Sequence, residues 1–179
     1  MKKIVLYLLP VFLISCGHTL EKSENTSPEI YSENKKPKEA IDKVLNQWHA
    51  AAGNANFDAY FSFMAEDAVF IGTDPTENWH KSDFKEWSKP YFDRGQAWDF
   101  TSLERNILTA ETGQTAWFDE LLDTQMGICR GSGVMIWENG EWKVQHYVLS
   151  IAIPNENVSE VTELKKEFDN NLISKLKSE

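Results

Sequence analysis

The spacing of apolar residues changes twice along this chain. From position 40, Ala40, Ile41, Val44, Leu45, Trp48, Ala51 and Ala52 recur at intervals of three and four. That period predicts an amphipathic helix, which Gly53-Asn54 ends. A second, short helix is predicted over residues 57–64, capped by Asn56 and burying Tyr60, Phe61 and Met64. Residues 68–73 read as a strand broken by Asp74-Pro75, and Ser82 is placed to cap a third helix over 83–87, ending before Pro90. The period then falls to two. Residues 98–108, 115–123, 128–137 and 142–153 are strand-like runs, with Glu111-Thr112-Gly113 and Asn139-Gly140 as the clearest turns between them. Helical spacing returns over 159–176, where Val161, Leu164, Phe168, Leu172 and Leu176 form one stripe that must dock on the domain or on a partner. Three helices followed by an antiparallel meander predict an α+β fold with the helices on one face of the sheet.

The first residues follow another logic. Lys2-Lys3 precede an apolar run over 4–14, then Ser15 and Cys16, the order of a secretory signal peptide over residues 1–15. The run is shorter than the roughly 20 residues a spanning helix needs, and Pro10 interrupts it. An ordinary cleaved signal would not require the cysteine. Leu13-Ile14-Ser15-Cys16 resembles the cleavage box of bacterial lipoproteins. That resemblance implies acylation of Cys16, membrane attachment through its lipid, and residence in the bacterial cell envelope. Gly17, in place of an aspartate, resembles outer-membrane sorting. Residues 16–37, rich in Glu, Lys, Ser and Asn, then read as the lipidated cysteine and a flexible tether reaching about 25 Å. The folded domain is expected over 38–154, and residues 155–179 carry the C-terminal helix.

Charge narrows the partners. The chain has 18 basic and 28 acidic side chains, a net charge of −10, which loss of Lys2 and Lys3 would take to −12. Such a chain repels phosphate backbones, so nucleic acid is not an expected partner. Besides Cys16 only Cys129 is present, and it reads as a small buried apolar residue. His18, His49, His80 and His146 are scattered without a metal-ligand spacing, so no metal is expected. Gly131-Ser132-Gly133 lies within a strand-like run, not before a helix, so it is no phosphate loop and no cofactor is expected. Seven tryptophans and ten phenylalanines leave material for an aromatic pocket.

Several segments carry a family resemblance. They are 53–60 and 65–70, Thr73-Asp74 with Glu77 and Trp79, Ala116-Trp117-Phe118-Asp119-Glu120, Arg130-Gly131-Ser132-Gly133-Val134, and 141–147 with Ser150. Over about residues 40–154 they resemble the SnoaL-like branch of the nuclear transport factor two and ketosteroid-isomerase-like superfamily. The resemblance implies a cone-shaped fold with N-terminal helices on a curved antiparallel sheet, extended here by the C-terminal helix. It implies a ligand pocket between helices and sheet, and a sheet face that can form a homodimer. In isomerase-like members an aspartate after the first strand shuttles a proton, and Asp74 falls at that position. Asp-Pro is also a common turn pair, so Asp74 suits a turn before Pro75. The family's oxyanion-donor tyrosine falls on Trp48, a weaker donor.

Period two also places Trp142, Val144, His146, Val148 and Ser150 on one face, so His146 is expected either in the cone or bonded within the sheet. Glu120 shares parity with Ala116 and Phe118 and is expected inward, paired with Arg130 or Arg105. Trp48, Tyr60, Trp79, Trp87, Glu120 and Arg130 are the candidate pocket residues, with Asp74 and His146 the candidate acid–base pair. The expectation is a protein binding a small apolar or amphipathic ligand. The alternatives are isomerase, dehydratase or hydrolase chemistry at Asp74 and His146, or a dimerising module without a ligand.

Overall fold

A computed structural model describes the backbone of residues 28–178 and the side chains of residues 37–178. The expected signal peptide, Cys16 and the first part of the expected tether lie outside the described residues. Helix α1 spans Pro28–Gly53, so residues 28–37 of the expected tether are helical. Pro28 stands at the first helical position, where its fixed φ and missing N–H cost nothing. Glu and Lys propagate helix even where there is little to bury. Pro37 lies inside the helix and does not end it.

Helix α2 (Phe57–Ser62) begins as expected, with the Asn56 side chain accepting from Ala59 N–H at 3.2 Å. Strand β1 (Met64–Ile71) starts four residues earlier than expected and pairs with a short strand β2 (Asn78–His80), which the periodicity did not reveal. Helix α3 (Lys81–Asp93) starts one residue before the expected cap Ser82, with His80 at the N-cap position making no side-chain cap bond, and runs through Pro90. The buried triplet Phe84, Ser88 and Phe92 holds one face of α3 on the core across that proline, an instance of tertiary packing overriding a local breaker. Strands β3 (Phe100–Thr109), β4 (Thr115–Thr124), β5 (Gly127–Glu138) and β6 (Glu141–Ile151) form the expected meander. Asn139 and Gly140 both have positive φ, as the tight β5–β6 hairpin requires.

The six strands are ordered β2-β1-β6-β5-β4-β3, antiparallel throughout except that β1 runs parallel to β6. α1 packs across β3 and β6, and α3 across β1 and β2. The core fills the concavity between. Ile41, Leu45 and Trp48 come from α1, Tyr60 and Phe61 from α2, Phe84 from α3, and Phe118, Leu122, Met135, Val144 and Tyr147 from the sheet. Cys129 is fully buried among them.

One irregularity in β6 decides which side chains face inward. Val134 pairs with His146, but Met135 pairs with Val144, so Gln145 is an extra residue in the strand. The bulge shifts parity by one. Val144 faces the core, then Tyr147 and Leu149, while His146 turns to the outer face. After a 3₁₀ turn at Asn155–Asn157, helix α4 (Val158–Leu176) has no buried residue. The described residues leave most of its stripe uncovered: Leu164 is 82% exposed and Leu176 60%.

Candidate functional site

Two features occupy the cone. The deeper one is polar. Asp42, Asn46 and His49, at helical spacing on α1, face Arg105 of β3 and Glu120 of β4. Glu120 is fully buried. Its Oε1 accepts from Tyr147 Oη at 2.9 Å and lies 2.8 Å from His49 Nε2, while its Oε2 accepts from Arg105 Nε and Nη2 at 2.8 and 2.6 Å. Arg105 Nη1 donates to Asp42 Oδ1 at 2.6 Å and Asn46 Oδ1 at 2.8 Å. Burial pushes the Glu120 carboxyl up, but the hydrogen bond with His49 and the neighbouring positive charges outweigh it and hold it below the usual range. An ionised carboxylate only accepts, so His49 Nε2 carries the proton. Four contacts use Glu120's acceptor capacity. It anchors the network and has no lone pair left for a substrate. Burial first, then Glu120, pushes the Tyr147 hydroxyl well above its ordinary value, so it stays a donor.

Glycines make this packing fit. A Cβ on Gly131 would lie 2.2 Å from Tyr147 Oη, and one on Gly133 would lie 2.4 Å from the His146 carbonyl and 2.9 Å from the Phe118 ring. Gly131-Ser132-Gly133 lets the bulged strand approach and lets the phenol reach Glu120.

The outer feature is apolar. A cavity of about 190 Å³ opens at the wide end of the cone, lined by Phe70, Trp79, Phe84, Trp87, Tyr91 and Trp98, with Gly72, Glu77 and Gln125 at its edge. Trp79 and Trp87 stack at 4.5 Å, and Trp79 continues onto Phe84 at 5.4 Å.

Of the candidate pocket residues, Trp79 and Trp87 line this cavity. Trp48 and Tyr60 are 1% exposed, stacked on each other at 5.2 Å beneath it. Burial pushes the Tyr60 hydroxyl well above its ordinary value, with the Trp98 indole opposing. The Trp48 indole N–H is a buried donor without a hydrogen-bond partner among the described residues, packed edge-to-face with Tyr147 at 4.9 Å. Glu120 pairs with Arg105, one of its two expected partners. Arg130 is instead exposed on the outer face, 3.9 Å from Asp119, because Gly131 stands across from inward-facing Glu120 and Arg130, next to Gly131 on β5, faces the other way.

Asp74 and His146 do not meet. Asp74 is fully exposed and accepts from Thr76 N–H and Oγ1 at 2.8 and 2.6 Å. These bonds hold its carboxyl below its ordinary value, opposite to what a proton-abstracting carboxylate at neutral pH needs. His146 lies on the other side of the sheet, across from Val134 and Val69. The structure therefore places the two apart: Asp74 serves a turn, one of the two readings its sequence allowed, and the bulge puts His146 outside the cone. Sequence reasoning missed His49 and Tyr147. The first was legible in the Asp42, Asn46, His49 spacing beside the apolar stripe; the second was hidden by the bulge. Among the described residues no group of three His, Cys, Asp or Glu is placed to hold a metal ion.

A cone of helices on a curved, mostly antiparallel sheet, with an aromatic cavity at its mouth, defines an NTF2-like domain. The model of the SnoaL-like domain family matches residues 41–154, and the chain belongs to that family. An NTF2-like protein of unknown function from Pseudomonas putida superposes with a TM-score of 0.56 at 15% identity, covering 71% of this chain and 92% of that one. A protein described as an aromatic ring hydroxylase from Novosphingobium aromaticivorans gives 0.58 at 17%, covering 67% and 92%. The association domain of C. elegans CaMKII gives 0.55 at 18%, covering 67% and 99%. At these identities the likeness is one of fold. No curated protein matches the chain.

Proposed function

We propose that this chain binds a small apolar or amphipathic molecule in the aromatic cavity at the mouth of its cone. We place it in the bacterial cell envelope, at the outer membrane, held by lipid on Cys16. The observation that carries the binding reading is a solvent-open cavity walled by indole and phenyl rings. Burying such rings against a ligand yields a large apolar gain. At about 190 Å³ the cavity is below the usual drug-sized range of roughly 300–1,000 Å³. It suits one ring or a short branched chain.

Native mass spectrometry of the protein extracted from its own membranes tests both parts. The expected mass is that of a chain beginning at Cys16 with acyl chains attached, plus a small-molecule adduct. The adduct is lost in Trp79→Ala/Trp87→Ala. An unacylated chain overturns the anchor, and an adduct that survives the double substitution overturns the cavity.

A second reading, self-association through the outer face of the sheet, rests on a cross-strand row. Leu108, Trp117, Val134 and His146 lie side by side there, with Leu108 52% and Trp117 47% exposed. A central exposed tryptophan is the usual anchor of such a contact, worth about 2 kcal/mol or more. Light scattering is expected to report a dimer that Trp117→Arg converts to monomer. An unchanged mass for the variant removes this reading.

A further inference from the structure

We propose that the ligand of the aromatic cavity is a cation, an alkylammonium or quaternary ammonium compound held between the indoles and Glu77. This rests on the reading that the cavity binds a ligand. Among the described residues, Glu77 is the only charged side chain lining the cavity. It is half-buried, and among the described residues no cation pairs with it. The one hydrogen bond to its carboxylate comes from Asp74 N–H to Oε2 at 3.2 Å.

The position is built into the loop. Gly72 N–H donates to the Glu77 carbonyl at 3.1 Å, and Glu77 N–H donates to the Asp74 carbonyl at 3.0 Å. A Cβ on Gly72 would lie 2.1 Å from Glu77 Oε2, so the carboxylate occupies the space that a side chain at position 72 would fill. The glycine thereby holds the negative charge against the cavity edge.

The rings supply the rest. Trp79, Trp87 and Trp98 are the aromatic type whose faces attract cations most strongly. Tyr91 already carries the Arg94 guanidinium 4.7 Å from its ring centre, whereas no Lys or Arg lies over the three indoles among the described residues. A neutral apolar ligand would strip water from Glu77 and give it no partner, which costs free energy. A trimethylammonium group offers methyls to the indoles and positive charge to the carboxylate at once. The chain's net charge of −10 adds a long-range bias toward cations.

The test uses choline and its neutral carbon isostere, 3,3-dimethylbutan-1-ol, titrated into the full chain with tryptophan fluorescence and calorimetry as readouts. Choline is expected to bind at least about ten-fold more tightly than the isostere. Glu77→Gln is expected to remove that preference by weakening choline binding and not isostere binding, with near-UV circular dichroism confirming the fold. Equal binding of the two probes, or a preference that survives Glu77→Gln, overturns the inference while the cavity still binds. Failure of both probes also overturns it. The cavity itself is then judged by the adduct on the native protein, so the two readings fail separately.

Discussion

Replacing Arg105 with methionine is expected to destabilise the domain by about 3–5 kcal/mol, because it leaves the Glu120 carboxylate buried without its cation. Arg105 is 4% exposed and spends three of its five donor sites on Glu120 and Asp42 alone. Its partners are unequal. Asp42 is half exposed and screened by water, so its loss is worth little. Glu120 is fully buried, and its penalty dominates. Against a typical domain stability of about 5–15 kcal/mol this is a large share, visible as a fall of roughly 10–20 °C in Tm.

The pH dependence identifies the cause. In the wild type the Glu120 carboxyl lies below its unfolded value, so its stabilisation is present at neutral pH and is lost as pH falls through that lowered value. Without Arg105, burial opposes ionisation with less compensation, so the variant's deficit should shrink between pH 8 and pH 5. Adding Glu120→Gln should recover part of the loss, since no buried charge then remains. A single-variant loss below about 1 kcal/mol, or a deficit that grows on acidification, would contradict a buried ion pair at this position.

The elements of this network were unequally legible. Helix α1 and the four-stranded meander were written plainly in their periods, because each buries one continuous face. Glu120 followed from strand parity for the same reason. Parity failed on β6, where one extra residue at Gln145 exchanges His146 for Tyr147. A bulge has no periodic signature, since it is defined by the partner strand. Strand β2 is three residues long and was hidden by the Asp74-Pro75 turn. The α3 boundary was missed because Pro90 is a local signal and the contacts of Phe92 with Phe57 and Tyr60 are not. The cavity's aromatic wall was half visible: Trp79 and Trp87 stood out by type, but only the fold brings them to Trp98.

Gly133→Ala is expected to cost at least about 3 kcal/mol, at the upper end of overpacking effects. The added methyl would stand 2.4 Å from a backbone carbonyl, that of His146, and 2.9 Å from two atoms of the buried Phe118 ring. No rotamer relieves a clash with backbone, so β5 and β6 must separate at the bulge. Gly131→Ala differs in kind. Its clash is with the Tyr147 hydroxyl at 2.2 Å, which a small ring displacement relieves by giving up the bond to Glu120. That variant should lose about 1–3 kcal/mol, and adding Tyr147→Phe to it should cost little more, because the hydroxyl is already displaced. Ser132→Ala, between them but exposed on the outer face, should change stability by less than about 0.5 kcal/mol. Urea denaturation of the three variants checks the order Gly133→Ala, then Gly131→Ala, then Ser132→Ala. A mild Gly133→Ala would mean that the bulge at Gln145 can slide, and with it the choice between His146 and Tyr147 as the side chain inside the cone.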